Sequence, residues 1–481
     1  MEMDLSRKEF ICGAALAAAG SRAVFASSEV RPLMRLGMIA DVHLETGETG
    51  KAVQNCLCFE PALRYFDERK ADGVVVAGDI TDFGTGAALR QIAAIWFKVF
   101  PGNRRSDGNP IVPLFIFGDH DMGGYMHTSY RKWAERACIV PGELDEIISD
   151  GDNAARLWKE CFHEEWAPIQ VKECRGCKFV LAHHPLHTQE SDRGNSIPGL
   201  ADFMARQNLD PGKPFFFVQH RVFKDTVLCE GCGWESGKTT AVLRKYPNAI
   251  ALCGHGHINA VDDLCLWQDG FTAIQIPSIN YCCTRPGREN GCNNRDKDAI
   301  MPKAYITKSW QGMFGTLYAD RFVVERRDFL NGLPLGPDWV IPLPSPDGSL
   351  RTEVRSRRST PPQFSRDAAI SVSERTVVNR ARKSTDAVIA SFPVAHATDN
   401  APRAFDYVVT AKKDGRILKE KYVFSKGQFW SDSLDAKPVE CAFAKSDLPA
   451  DWRSSVRFVA APRDSFGNRG REICSCLTTS N

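Results

Sequence analysis

The stretch Gly73-Val74-Val75-Val76-Ala77-Gly78-Asp79-Ile80-Thr81-Asp82 is a short apolar run that stops on a glycine and two carboxylates. It has strand length, is too short for a helix, and is apolar at every position, the pattern of a strand covered on both faces. The same construction recurs along the chain. Residues 36–40 lead into Asp41-Val42-His43, 112–117 into Gly118-Asp119-His120-Asp121, and 178–182 into His183-His184. Residues 214–218 lead into Gln219-His220, and 249–253 into Gly254-His255-Gly256-His257. The segments between these runs read as amphipathic helices, so the pattern predicts an α/β fold with a layered α/β/β/α core. Polar residues at the carboxyl ends of buried strands stand where such sheets place their ligand sites.

The residue types in these clusters are metal ligands. Imidazole and carboxylate together suit zinc, manganese or iron, and a carboxylate shared by two ions permits a binuclear centre with metals ~3.5–4 Å apart. Glycine before Asp79, Asp119 and His255 is expected to permit tight turns that aim these side chains inward. Thr81 and Asp82 read as a helix start and as support for the metal ligands. Each motif alone occurs by chance, and a lone Asp after a strand is often a helix cap; five of them in order at strand ends point to one site.

In that order the motifs resemble those of the calcineurin-like metallophosphoesterases, whose pattern runs D-x-H, G-D-x-x-D, G-N-H-D/E, a lone His, then G-H-x-H. The resemblance spans roughly residues 35–325. It implies a hydrolase acting on phosphate mono- or diesters through a metal-bridging hydroxide, with two divalent or mixed-valence ions (Mn, Fe or Zn) as cofactors. By the same resemblance Asp41, His43 and His257 hold the first metal, Asp79 bridges, and Asp119, His220 and His255 hold the second. His120 faces the substrate as the catalytic acid, and Asp121 orients it. His220 is taken as the lone-His ligand in preference to His183 and His184 because of its order relative to the last motif. His183 and His184 then read as strand-end or pocket-lining histidines, and His127 and His187 as candidates to line the substrate pocket.

The sequence departs from the family in one ligand: Asp119 stands where the pattern has Asn. Two divalent ions, three aspartates and a bridging hydroxide sum to a neutral centre, where the family's carries one positive charge. The pull on a phosphate dianion is weaker accordingly, which favours a monoanionic diester, a higher-valent metal or an added cation. Arg221, next to His220, is placed either to be that cation or to form a structural ion pair. A catalytically decayed protein of this fold that acts as a binding module is the alternative function.

Lys+Arg 61 against Asp+Glu 59 leaves a net charge of +2, so no global field recruits nucleic acid or a membrane surface. The expected partner is a phosphorylated small molecule or phosphodiester. Seventeen cysteines include Cys174/Cys177 and Cys229/Cys232 as C-x-x-C pairs and Cys474/Cys476 as C-x-C. The two C-x-x-C pairs are too far apart in sequence for a zinc ribbon, which leaves structural zinc, disulfides and a thiol oxidoreductase as readings of these pairs.

Residues 1–26 read as an export signal: Arg7-Lys8 resembles a twin-arginine pair, a short apolar run follows, and Ala26 offers a cleavage point. The expected location is periplasmic, cell-surface or extracellular. The metallophosphoesterase domain is placed at 33–335 and a Pro- and Arg-rich connector at 336–365. Short β-rich runs separated by turns predict a β-sandwich at 366–477, similar to a fibronectin type III module.

Overall fold

The computed structural model describes residues 31–46, 50–122, 142, 144, 146–186, 188–228, 235–291, 293–303, 310–344, 346–396, 404–425 and 438–477. The export signal read at 1–26 lies outside them. In chain order the first strands are β1 (Met34–Ile39), β2 (Gly73–Ala77), β3 (Val112–Ile116), β4 (Ile169–Cys174), β5 (Cys177–Ala182), β6 (Phe215–Val218) and β7 (Ala249–Cys253). Then come β8 (Leu266–Gln268), β9 (Thr272–Gln275), β10 (Gln311–Leu317), β11 (Arg321–Asp328), β12 (Leu333–Pro334) and β13 (Trp339–Pro342).

These thirteen strands form two sheets. One runs β12-β11-β10-β1-β2-β3, with β13 also on β11; the other runs β4-β5-β6-β7-β9-β8. Strands β1, β2 and β3 are parallel, as are β5, β6, β7 and β9. Their carboxyl ends therefore gather at one edge of each sheet.

The continuous hydrophobicity of these strands has a direct cause in the layering. In β2, Val75 and Ala77 enter a core shared by both sheets with Phe216, Val218 and Leu252. Val74 and Val76 point the other way, into a core with Leu63, Phe66, Leu89, Ile92 and Trp96 of the helices Gly50–Glu68 and Gly86–Val99. On the second sheet Phe215 and Phe217 face Leu200, Met204 and Leu243 of the helices Leu200–Ala205 and Lys238–Leu243. The result is the α/β/β/α order of layers. Phe179 and Phe216 stack between the sheets at 4.6 Å, and truncating such a ring costs about 3–5 kcal/mol.

The helix after β2 begins later than the sequence suggests. Thr85, not Thr81, caps Gly86–Val99 by accepting from the amide of Ala88, which leaves Thr81 and Asp82 in the loop beside the site.

The C-terminal domain is built of antiparallel sheets. It comprises β14 (Ser371–Val378), β15 (Ser384–Phe392), β16 (Asp406–Lys413), β17 (Arg416–Phe424), β18 (Val439–Ala444), β19 (Val456–Arg463) and β20 (Ile473–Cys474). The sheets β14-β15-β18 and β17-β16-β19-β20 enclose a core that includes Val388, Phe392, Tyr407, Val409, Phe443 and Phe458. The segment read as a connector contributes β13 to the first sheet and carries the helix Thr352–Arg358.

Candidate metal centre

All seven ligand residues named from the sequence come together at the carboxyl ends of β1, β2, β3, β6 and β7. One ligand atom from each of Asp41, His43, Asp79 and His257 lies within 4.8 Å of the others, and the same holds for Asp79, Asp119, His220 and His255. Asp79 belongs to both sets. The closest approaches are His257 Nε2 to Asp41 Oδ1 at 3.1 Å and His43 Nε2 to His257 Nε2 at 3.1 Å. On the other side, His220 Nε2 lies 3.1 Å from Asp79 Oδ2 and 2.9 Å from Asp119 Oδ1, and His255 Nδ1 lies 3.2 Å from Asp119 Oδ1.

The local backbone is bent to make this happen. Asp41 (φ 54°), His43 (φ 48°), Asp79 (φ 49°), His255 (φ 65°) and His257 (φ 51°) all adopt the left-handed conformation, which L-residues occupy at a cost and which clusters at functional sites. Gly78 shares it at φ 87°, and a β-carbon there would collide with the ring of His220. Gly118 acts differently from the expected tight turn. Its φ is ordinary, and the missing side chain is what lets Asp79 lie against it.

Neighbouring groups fix the rings. His220 Nδ1 donates to the carbonyl of Ala77 at 2.8 Å, His257 Nδ1 to that of Tyr281 at 3.1 Å, and His43 Nδ1 pairs with Asp82 Oδ1 at 2.9 Å. Such partners select the tautomer that presents the opposite nitrogen to an ion. The carbonyl of Asp82 also accepts from His120 Nδ1 at 2.9 Å, so Asp82 supports the centre as expected.

Asp121 departs from its expected role. Its carboxylate accepts from the amides of Gly118 (2.7 Å), Ile80 (3.1 Å) and Thr81 (2.8 Å) and from the Thr81 hydroxyl (2.7 Å). It ties the Asp79 loop to the Asp119 loop, while Asp82 orients His120. Burial and the charge of Asp79 push Asp121 up to about 6 despite these donors.

The electrostatics fit a cation-binding site. Burial raises the pKa of Asp119, yet His255 and His220 prevail and hold it well below the usual carboxylate range. Burial likewise opposes charge on His220, and Asp79 and Asp119 overcome it to raise that imidazole well above its ordinary value. Asp41 and Asp79, both buried, with the partly buried Asp119 beside them, demand positive charge. Moreover, His220 Nε2 lies buried 2.9 Å from Asp119 Oδ1 and 3.1 Å from Asp79 Oδ2, a donor set that a divalent ion can share. The residues present fit a pair of divalent ions.

Arg221, one reading of which is a cation for the substrate, is turned toward protein. Its guanidinium lies 3.6 Å from Asp119 Oδ2 and bonds to Asn195 Oδ1. It thus offsets the extra carboxylate. His183 stays apart from the cluster, its Nδ1 accepting from the amide of Phe117 at 3.0 Å. His127, His187, Cys229 and Cys232 lie outside the described residues. Cys174 and Cys177 are free thiols facing each other where the β4–β5 hairpin turns, and burial pushes them up to about 12 and about 11. Neither is a ready thiolate nucleophile.

Ser278, Asn280 and Tyr281 were not anticipated. Ser278 Oγ donates to the carbonyl of Asp41 at 3.0 Å, and Asn280 Nδ2 to that of Val42 at 3.0 Å. The β-rich run Phe271-Thr272-Ala273-Ile274-Gln275-Ile276 just before them is the signal that finds them, since it is one more strand ending at this edge.

A four-layer α/β/β/α core with two such ligand sets at its strand ends is a metallophosphoesterase core. Residues 34–259, which include all seven ligand positions, match the calcineurin-like phosphoesterase family, and this segment is a calcineurin-like phosphoesterase domain. Among solved structures, the chain is similar to a dimetal phosphatase from Danio rerio, at 13% identity over 65% of this chain and 99% of that one, with a TM-score of 0.36. It is also similar to purple acid phosphatase PPD1 from yellow lupin (Lupinus luteus) seeds, at 12% identity over 64% of this chain and 53% of that one, with a TM-score of 0.36. No curated protein matches the chain.

Proposed function

We propose that this chain is an exported, metal-dependent phosphoesterase that hydrolyses phosphate mono- or diesters at the cluster centred on Asp79. The observation that carries this reading is the Asp79 carboxylate common to two sets of Asp and His ligands. Asp41, His43 and His257 hold one ion, Asp119, His220 and His255 the other, and the donor set suits manganese, iron or zinc. Two ions held there supply Lewis acidity toward the phosphoryl oxygens and lower the pKa of a coordinated water toward ~7. His120, with Nδ1 on the Asp82 carbonyl, uses Nε2 to deliver a proton to the departing alcohol oxygen. Arg221, 3.6 Å from Asp119, returns the one charge that the extra carboxylate removes, so the local charge admits a monoester as well as a diester.

Metal analysis of the purified chain, with turnover of para-nitrophenyl phosphate and its bis-ester with and without added manganese, tests the reading. Two metals per chain with turnover of at least one of the two esters are expected. No metal and no turnover would move the assignment to a binding protein on a retired enzyme fold.

A further inference from the structure

Met122, Ile148, Asp152, Trp166, His184 and Ile197 border a cavity beside the metal centre. Its volume is about 390 Å³, within the range of ~300–1,000 Å³ typical of small-molecule pockets. Met122, Ile148, Ala155, Trp166, Leu186 and Ile197 give it a largely apolar wall. It adjoins the centre on two sides. Met122 ends the short helix Asp119–Met122 that bears Asp119 and His120, and His184, Pro185 and Ile197 also line a small cleft against His220 and Arg221.

Besides Asp152, Thr188, Ser191 and His184, the wall includes His183, Trp166 and Ser149. His183 is 2% exposed, and because its Nδ1 accepts from the Phe117 amide, the neutral ring carries its proton on Nε2. That Nε2, the indole Nε1 of Trp166 and the hydroxyl of Ser149 are buried without a hydrogen-bond partner among the described residues. These atoms have almost no accessible surface, so they stand behind the apolar wall and not on it. Asp152 is the charged side chain among the described lining residues, so an anionic group is unwelcome.

We infer that this cavity binds the uncharged, apolar part of the alcohol that the phosphoester carries, an aryl or branched hydrocarbon group. The inference rests on the phosphoesterase reading of the neighbouring centre. The phosphoryl group sits at the ligand cluster while the alcohol extends past Met122 and His184 into the apolar chamber, which selects such esters over those of small polar alcohols.

The test uses the metal-loaded full chain and two variants, Ala155→Trp, at an exposed wall position, and Leu186→Asp, at a side chain 42% exposed. Calorimetry with 1-naphthol as probe should show one site per native chain, weakened at least about tenfold in both variants, a change of about 1.4 kcal/mol. In parallel, KM for 1-naphthyl phosphate should rise about tenfold in the variants, while kcat and KM for glycerol phosphate stay at native values. Failure of native protein to bind naphthol, or equal loss on both esters, would overturn the cavity assignment. Naphthol binding with no turnover of either ester or of the para-nitrophenyl bis-ester would instead overturn the phosphoesterase reading, and with it the assignment of the cavity to a substrate group.

Discussion

The carbonyl of Tyr281 accepts from Nδ1 of His257 at 3.1 Å, and its ring lies 4.2 Å from the same imidazole. Tyr281 belongs to a loop that also holds the backbone of Asp41 and Val42 through Ser278 and Asn280. A few residues on, the same loop is bound to the C-terminal domain. The amide of Glu289 donates to the carbonyl of Tyr422 at 2.7 Å, Asn290 Oδ1 accepts from the amide of Phe424 at 2.7 Å, and Arg288 Nε lies 2.8 Å from Asp406 Oδ2. One segment therefore joins the His257 imidazole of the candidate centre to the C-terminal domain.

Replacing Arg288 with Ala tests that coupling. Asp406 is buried but keeps Arg463 as a partner at 2.7 Å, so the loss in stability should be about 1–2 kcal/mol rather than that of an orphaned charge. Urea unfolding measures it. Metal affinity at the His257 side should fall together with stability, whereas unchanged metal binding would mean that the sandwich does not brace the centre.

Asp82 is the next test, because it contacts the rings of His43 and His120 without belonging to either four-residue set. Asp82→Asn keeps an acceptor beside His43 but removes the charge. Losing such a partner typically lowers metal affinity about 10–100-fold. Retention of metal during dialysis against a chelator series would show it, and native retention would reduce Asp82 to a loop residue.

His120→Ala should separate chemistry from binding. Turnover is expected to fall by about 10²–10⁴, the usual contribution of a general acid, with two metals still bound. Metal loss in this variant would make His120 a ligand instead of an acid.

Asp119 and Arg221 should behave as a coupled pair. Asp119→Asn restores the amide of the family pattern, makes the centre more positive and releases Arg221, so KM for a phosphate monoester should drop. In Asp119→Asn with Arg221→Ala, much of that gain should vanish, since residues in contact give non-additive effects. Additive changes in KM would show that the 3.6 Å approach has no energetic content.

How much of this was legible depended on burial. Strands β2 and β7 have the bounds read from sequence because every residue in them is buried and apolar. Strand β4 was passed over: five of its six residues are partly or fully exposed, and Gln170, Lys172 and Glu173 break the apolar run. The ligands were readable because each directly follows a buried strand. The partnership of Arg221 with Asn195 and Asp119 was not, since it joins residues from separate loops whose approach no local pattern encodes. Asp121 misled for a related reason. A carboxylate beside a histidine suggests a pair, yet here nearby amides captured it first.

The pH dependence of folding offers a test through His183, which is outside the ligand cluster. Burial, with Lys172 adding to it, pushes its pKa down to about 3, against an ordinary value of ~6.5. Between these values the unfolded chain takes up a proton that the folded chain refuses, so unfolding free energy rises with pH. The contribution of His183 is therefore complete above pH ~6.5 and is lost progressively as pH falls toward about 3. Its size is on the order of 5 kcal/mol across the full window. His183→Gln cannot titrate, so its stability should fall less on acidification than that of the native chain. Urea midpoints for both proteins between about pH 7 and pH 4 measure the difference. Metal release in acid acts on the two alike and cancels, and parallel curves would mean that His183 is not held neutral inside the fold.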